Sequence, residues 1–300
     1  MTASLTKFMT GLIDYAGMFP PAGLDVAAAL TNYAGYLESN NGWMLGRCII
    51  PVTQLPNVVH RPGFRFSIIV SHERAQEELT QLSTFKGCVE MVETRIAEEA
   101  VSLARCTELV SLLKANLSKI GLQDVQLFVE AENVATTALA IAAVNNSTIR
   151  SETFRYVGFK LRCGRFKDQT SPSPEKVAEV ISTCCNHDIP IKFTAGMHHP
   201  LSSHSPDTGT LQYGFLNIFA AALLFWSGNA SKNEIVECVC DKRSGHFDFT
   251  RDHFSWRDKT ISAGEIERLR RSRVISFGSC SFSEPVDGLR ALGFQHNSGV

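Results

Sequence analysis

The stretch Tyr156-Val157-Gly158-Phe159-Lys160-Leu161-Arg162 decides how the chain is read. Its residues alternate as in a β-strand, where successive side chains point to opposite faces. Val157, Phe159 and Leu161 form an apolar face suited to a covering layer of helices. Lys160 and Arg162 then point the other way, into whatever the sheet encloses. A helix start follows at Ser173-Pro174-Glu175, an N-cap with proline at the first helical position. Strand, then helix, is the unit this stretch predicts.

The same unit repeats outward in both directions. Strands are expected at Leu12–Ala16, Met44–Pro51, Phe64–Val70, Cys88–Thr94 and Val125–Ala131 before it, and at Ile191–Ala195 and Val274–Ser279 after it. Segments with 3.6-residue apolar spacing lie between them. One runs from Leu24 to Leu37. Another is expected to be N-capped by Ser71 and to stop at Gly87. A long helix is marked by Ile96, Ala100, Leu103, Val110, Leu113, Leu117 and Ile120 and ends before Gly121. Val286 to Leu292 closes the chain against Gly293. After the second strand, Pro56 and Pro62 leave room for only a short helix. The apolar run from Tyr213 to Trp226 is shorter than the ~20 residues of a membrane span and reads as a buried helix.

Eight strands with interleaved helices predict an α/β protein, a (β/α)8 TIM barrel forming one domain over residues 1–300. An open doubly wound sheet would usually carry a glycine-rich phosphate turn after its first strand, and none is present. One insertion, residues 227–273, precedes strand eight. Its alternating Phe247, Phe249, Phe254 and Trp256 suggest a hairpin, and Ser262 to Glu265 a capping box that starts a helix. This segment is expected to be a cover or a lid over the barrel mouth.

Composition sets further bounds. In 300 residues, 29 Lys plus Arg against 30 Asp plus Glu give a net charge of −1, which argues against a nucleic-acid partner held by bulk positive charge. A hydrophobic content of 44% argues against general disorder. Nine scattered cysteines without a CxxC pair read as reduced thiols, and no secretory leader pattern opens the chain. A cytoplasmic protein with no membrane partner is expected. Walker A, GxGxxG and HExxH patterns are absent, so no cofactor is expected. A homo-oligomer is compatible with the sequence.

Charge in the expected barrel interior is the functional signal. Besides Lys160 and Arg162, strand seven turns Lys192 and Thr194 inward, and strand five Glu130 and Glu132. Strand four puts Glu90 and Val92 on one face and Met91 and Glu93 on the other. Strand two offers Arg47 and strand one Asp14. Charged groups inside a barrel cost energy unless paired, and buried pairs stabilise less than apolar packing. Their clustering toward the C-terminal strand ends, where barrel enzymes carry their chemistry, points to catalysis. Neighbouring strands lie about 4.8 Å apart, so Lys192 is expected to lower the pKa of Lys160 by like-charge repulsion. A neutral lysine attacks carbonyls and forms an imine. Glu90 and Glu130 are the expected proton relays, and Arg47 and Arg162 the expected anion binders.

From strand four onward, over roughly residues 88–293 apart from the insertion, the chain resembles the deoxyribose-phosphate aldolase family of class I aldolases. Lys160-Leu161-Arg162-Cys163-Gly164 fits that family's strand-six motif, Lys192-Phe193-Thr194-Ala195-Gly196 its strand seven, and Phe277-Gly278-Ser279-Cys280-Ser281 its last strand end. Glu90-Met91-Val92 and Glu130 sit where it carries acids. The resemblance implies a Schiff base on Lys160 with Lys192 beside it. Ala195 stands where the family prefers glycine, Glu90 where aspartate is usual, and Met197-His198-His199-Pro200 replaces its strand-seven arginine. The strings IDYAGMFPPA, WMLGR, KFTAGMHHP and FGSCSF also resemble a group of uncharacterised bacterial proteins, a likeness that implies no activity.

The leading expectation is therefore a lyase acting on a small carbonyl or anionic substrate, with Lys160, Lys192, Glu90 and Glu130 as catalytic residues. Asp14, Arg47, Glu132, Arg162, Thr194, His198, Gly278, Ser279 and Ser281 are the expected substrate contacts. Two alternatives stand beside it: a non-catalytic barrel that binds a small anion, and a metal-assisted hydrolase or lyase using His198 or His199. No metal site is assigned, because adjacent histidines in an extended segment point to opposite faces.

Overall fold

A computed structural model of the chain describes residues 1–59, 61–96, 101–147, 156–165, 171–206 and 209–294. Eight parallel strands close into a barrel: β1 (Ile13–Tyr15), β2 (Leu45–Pro51), β3 (Phe66–Ser71), β4 (Val89–Ile96), β5 (Gln126–Ala131), β6 (Gly158–Arg162), β7 (Ile191–Thr194) and β8 (Val274–Ser279). Each pairs with its neighbours in sequence, and β8 closes onto β1. This is the expected (β/α)8 barrel.

The helices follow their local signals. Asp25 caps Val26–Glu38 by accepting from the Ala28 amide. Ser173 caps Pro174–Asn186, with proline in the first turn as expected. A 3-10 turn, Val52–Asn57, is all that follows β2. Two expectations are corrected. Ser71 ends β3 instead of capping a helix, and its amide donates to Glu78. The next helix is only Ala75–Thr80, extended by a 3-10 turn, Gln81–Phe85. Ile96 belongs to β4, and the long helix starts later, at Leu103, behind the N-cap Ser102. Ala100 lies outside the described residues.

The apolar strand faces pack outward against helices, as their period-2 pattern requires. Phe193 and Phe277 meet Phe219 and Phe215 of the helix Phe215–Trp226 at ring separations of 5.2 and 5.3 Å. That helix is buried along nearly its whole length. Its one polar residue in mid-run, Asn217, is satisfied: it donates to the Cys238 and Asp241 carbonyls and accepts from the Ser202 amide. Among the described residues no helix is long and apolar enough to cross a membrane. All nine cysteines are free thiols.

The insertion forms the helix Lys232–Cys240, a three-stranded antiparallel sheet (Phe247–Phe249, His253–Trp256, Lys259–Ser262) and the helix Ala263–Ser272. Phe249 and Phe254 pack on Phe8 of the N-terminal helix Ala3–Met9, with ring centroids 5.3 and 5.4 Å away. Ser4 donates to the Thr250 carbonyl. Arg270 is buried and donates to the carbonyls of Phe8, Thr10, Val274 and Ile275. The sheet and the helix Ala263–Ser272 therefore sit at the end of the barrel from which β1 and β8 start, whereas Val239 and Lys242 of the insertion reach Ser202 and His204 in the segment after β7. Replacing Arg270 by Met removes the donors of four carbonyls at once. Loss of buried partners costs about 1–3 kcal/mol per stranded group, so a drop of about 2–4 kcal/mol in unfolding free energy is expected by urea titration at pH 7. A change under about 0.5 kcal/mol would show that the guanidinium does not hold this end together.

Candidate active site

The barrel interior is layered. Near the start of the strands, Met91, Phe128 and Ile275 form a small apolar plug separate from the main core. Gly158 makes room for it, since a Cβ there would meet the Phe128 ring at 2.4 Å. The register irregularity between Val274 and Phe277 lets Ile275 and then Ser276 both face inward. Two residues further along the strands the interior becomes ionic. Lys160 lies beside Lys192 in the β6–β7 register, as expected.

Carboxylates separate the two amines. Glu93 places Oε2 at 2.8 Å from Lys160 Nζ and Oε1 at 2.7 Å from Lys192 Nζ. Ser67 donates to Glu93 from 2.5 Å. Beyond Lys192 stands Asp14, 2.5 Å away, which also accepts from Ser276 and from the Arg47 amide. Beyond Lys160 stands Glu130 at 3.1 Å, which Arg162 engages through Nε at 2.8 Å. Asp14, Lys192, Glu93, Lys160, Glu130 and Arg162 thus form one row of alternating charge across the barrel.

This row sets the protonation states. Burial alone would raise the Glu93 carboxyl, but the ammonium groups of Lys160 and Lys192 outweigh it and hold the pKa far below the carboxylate range. Asp14 and Glu130 are lowered likewise, Asp14 by Lys192 and Arg47, Glu130 by Lys160 and Arg162, each against its own burial. Lys160 moves opposite to expectation. Burial pulls its pKa down, yet Glu93 and Glu130 pull harder, and it ends above the ordinary lysine value. The expected depression by Lys192 fails because Glu93 stands between the amines.

A cavity of about 750 Å³ opens over this row, at the C-terminal strand ends. Lys160, 6% exposed, is the lysine among its described lining residues, whereas Lys192 is fully buried behind the wall. Of the expected site residues, Glu130, Arg162, Thr194, His198 and Gly278 also line it. Asp14 lies with Lys192 beneath. Glu90 is corrected: it falls at the β3–β4 register shift, its side chain is 39% exposed, and it pairs with Arg47 at 3.0 Å, away from the cavity. Arg47, by the same pairing, is outside the lining. Glu132 lies beyond β5, where it pairs with Arg95 at 2.8 Å. Ser279 and Ser281 organise their own loop. The Ser279 carbonyl accepts from the Ala16 amide, and the Ser281 hydroxyl accepts from the Glu284 amide.

Glu93, Thr94, Arg95, Gly164, Arg165, Gln212, Cys280 and Glu284 line the cavity without having been expected there, and His199, named only in the metal-assisted alternative, lines it beside His198. For Glu93 and Arg95 the signal was present: the alternation that sends Val92 outward sends Met91, Glu93 and Arg95 inward. The loop residues carry no such period. The two motif glycines meet backbone to backbone. A Cβ on Gly164 would lie 2.9 Å from the Gly196 nitrogen, and Gly196 itself has φ +74°. Ala195, where the resembled family prefers glycine, also adopts a left-handed φ of +63°. Among the described residues no group of three or more His, Cys, Asp or Glu is placed to hold a metal ion.

The fold and site define a (β/α)8 barrel with an ion-paired lysine on the wall of its mouth cavity. Searches of family models, of curated proteins and of solved structures each return no match for the chain.

Because Glu93 serves two ammonium groups, its loss leaves both under-paired. Breaking a buried pair costs about 3–5 kcal/mol, and Glu93→Ala is expected to lose that much at pH 7 by urea unfolding. The depressed carboxyls give stability that is fully present above their unfolded pKa of about 4 and is lost as pH falls toward the folded values. Stability should therefore decline below pH ~4, and less steeply in Glu93→Gln. Equal slopes in the two proteins would contradict this assignment.

Proposed function

We propose that the chain is a class I aldolase-type lyase that acts on a small carbonyl substrate through a Schiff base on Lys160. The observation that carries this reading is Lys160 itself, an amine on a cavity wall, flanked by two carboxylates that can take its proton. At rest it is an ammonium ion. A carbonyl entering the cavity displaces its pairing with Glu130, and the ammonium proton passes to that carboxylate. The neutral amine adds to the carbonyl carbon and an N–H proton moves to the new alkoxide. Protonated Glu130 gives its proton to the carbinolamine hydroxyl, which leaves as water, and the resulting iminium withdraws electrons from the adjacent bond. Glu130 then takes the proton of the substrate hydroxyl as the carbon–carbon bond breaks, and returns it to the enamine. Arg162, Arg95 and Arg165 at the cavity wall favour a substrate with an anionic group. Lys192 stays behind the wall, where with Asp14 it fixes Glu93 and hence the Lys160 amine.

The pairing of Lys160 on both sides also supports a second reading, a barrel that binds a small anion without turnover. The same experiment separates the two. Borohydride added with a panel of small aldehydes and ketones should attach one substrate skeleton to Lys160, read by peptide mass spectrometry. Lys160→Arg, which keeps the charge but not the nucleophile, should show no adduct. Because only the neutral amine reacts, and at pH 7 an ordinary lysine is about 0.04% neutral, trapping should accelerate with pH up to the raised Lys160 pKa. No adduct on Lys160 across the panel, with anions still raising the melting temperature, would favour the binding barrel. Glu130→Gln should slow turnover by about 10²–10⁴-fold.

A further inference from the structure

The loop after β8 brings a second nucleophile to the same cavity by an arrangement separate from the lysines. Cys280, His198 and Glu284 all line it. The Cys280 sulfur lies 3.9 Å from Nδ1 and 3.8 Å from Nε2 of His198, within reach of a sulfur hydrogen bond. Glu284 engages Nδ1 at 2.8 Å, which leaves Nε2 for the thiol. A thiol, a base within reach and a carboxylate orienting that base are the parts of an activated nucleophile, and such contacts are commonly long before substrate binds.

The three parts come from separate elements: the loop after β7, the loop after β8, and the first turn of the helix Ser283–Ala291. Their positions are held. Phe282 is buried with its ring 4.9 Å from that of Tyr36, and the Ser279 carbonyl accepts from the Ala16 amide. The His198 pKa is raised by its contact with Cys280, against burial, and further by Glu284. Six of the nine thiols are buried. The other two half-buried ones, Cys185 and Cys240, have their pKa pushed up by burial, and neither lines this cavity.

We propose that Cys280 is a second covalent nucleophile of this cavity, with His198 as its base and Glu284 as a positioning residue, and that its target is the carbonyl carbon of a small aldehyde. A sulfur lone pair forms the C–S bond while the carbonyl π pair moves to oxygen. The thiol proton passes to His198 and from it to the new alkoxide, giving a hemithioacetal with no change of oxidation state. The choice of an aldehyde rests on the carbonyl chemistry proposed for Lys160, whereas the reactivity of the thiol does not.

The test alkylates the full-length protein at pH 7 with substoichiometric iodoacetamide and maps each cysteine by peptide mass spectrometry. Cys280 should react at least about tenfold faster than Cys185 and Cys240. His198→Gln should slow it by about fivefold or more, and Glu284→Gln by roughly twofold to threefold. Excess propanal should protect Cys280 reversibly, in Lys160→Arg as in the unaltered protein. Cys280 reacting no faster than the other two, or unchanged in His198→Gln, overturns the proposal. Protection that disappears in Lys160→Arg assigns the aldehyde to the amine alone and overturns the carbonyl target, while the borohydride result for Lys160 stands separately.

Discussion

One carboxylate organises the interior of this barrel. Glu93 forms ion pairs with the ammonium groups of both lysines and accepts from the Ser67 hydroxyl, at 2.5–2.8 Å. Without it, two like charges on adjacent strands would face each other across a space of low dielectric, which is the situation that expels protons from lysine. With it, the repulsion becomes a row of alternating charges anchored by Asp14 at one end and Arg162 at the other. The row couples the strands β1, β4, β5, β6 and β7, so the site and the closure of the barrel depend on the same ions.

The division of labour between the lysines follows from depth. Lys192 meets Asp14, Glu93 and the Met91 sulfur, all buried, and has no exposure. Lys160 meets Glu93 below but Glu130 at the cavity wall, where Arg162 also holds that carboxylate. A ligand can compete for Glu130 and Arg162 without disturbing the buried half. In the reading proposed for this site, one amine does chemistry because the other is locked.

Much of the architecture was legible from residue patterns because strands buried on one face and lined with charge on the other announce both their period and their direction. The β6 stretch did this most clearly, since Lys160 and Arg162 interrupt an otherwise apolar run. The alternation alone leaves open which face of β4 turns inward, and the expectation took Glu90, which the register shift at the start of that strand carries aside. The error about the Lys160 pKa had a different origin. Strand spacing brings two cations together, but only coordinates show what stands between them. Loop residues such as Cys280 and Arg165 have no periodicity to reveal them, because loop backbones turn as sterics and caps dictate. The side of the barrel taken by the insertion was equally hidden, as its aromatic alternation reports a sheet and says nothing of what the sheet covers.

The helix Phe215–Trp226 lies with its inner side against β7 and β8 and is buried nearly all round. It contacts the helices Lys232–Cys240 and Ala263–Ser272 and the strand Lys259–Ser262. Its residues are apolar on every side because residues 227–273 enclose what the barrel does not. That segment is consequently no appendage that shuffling or trimming could remove. A shortened chain would present a greasy cylinder to water and seek another copy to hide it.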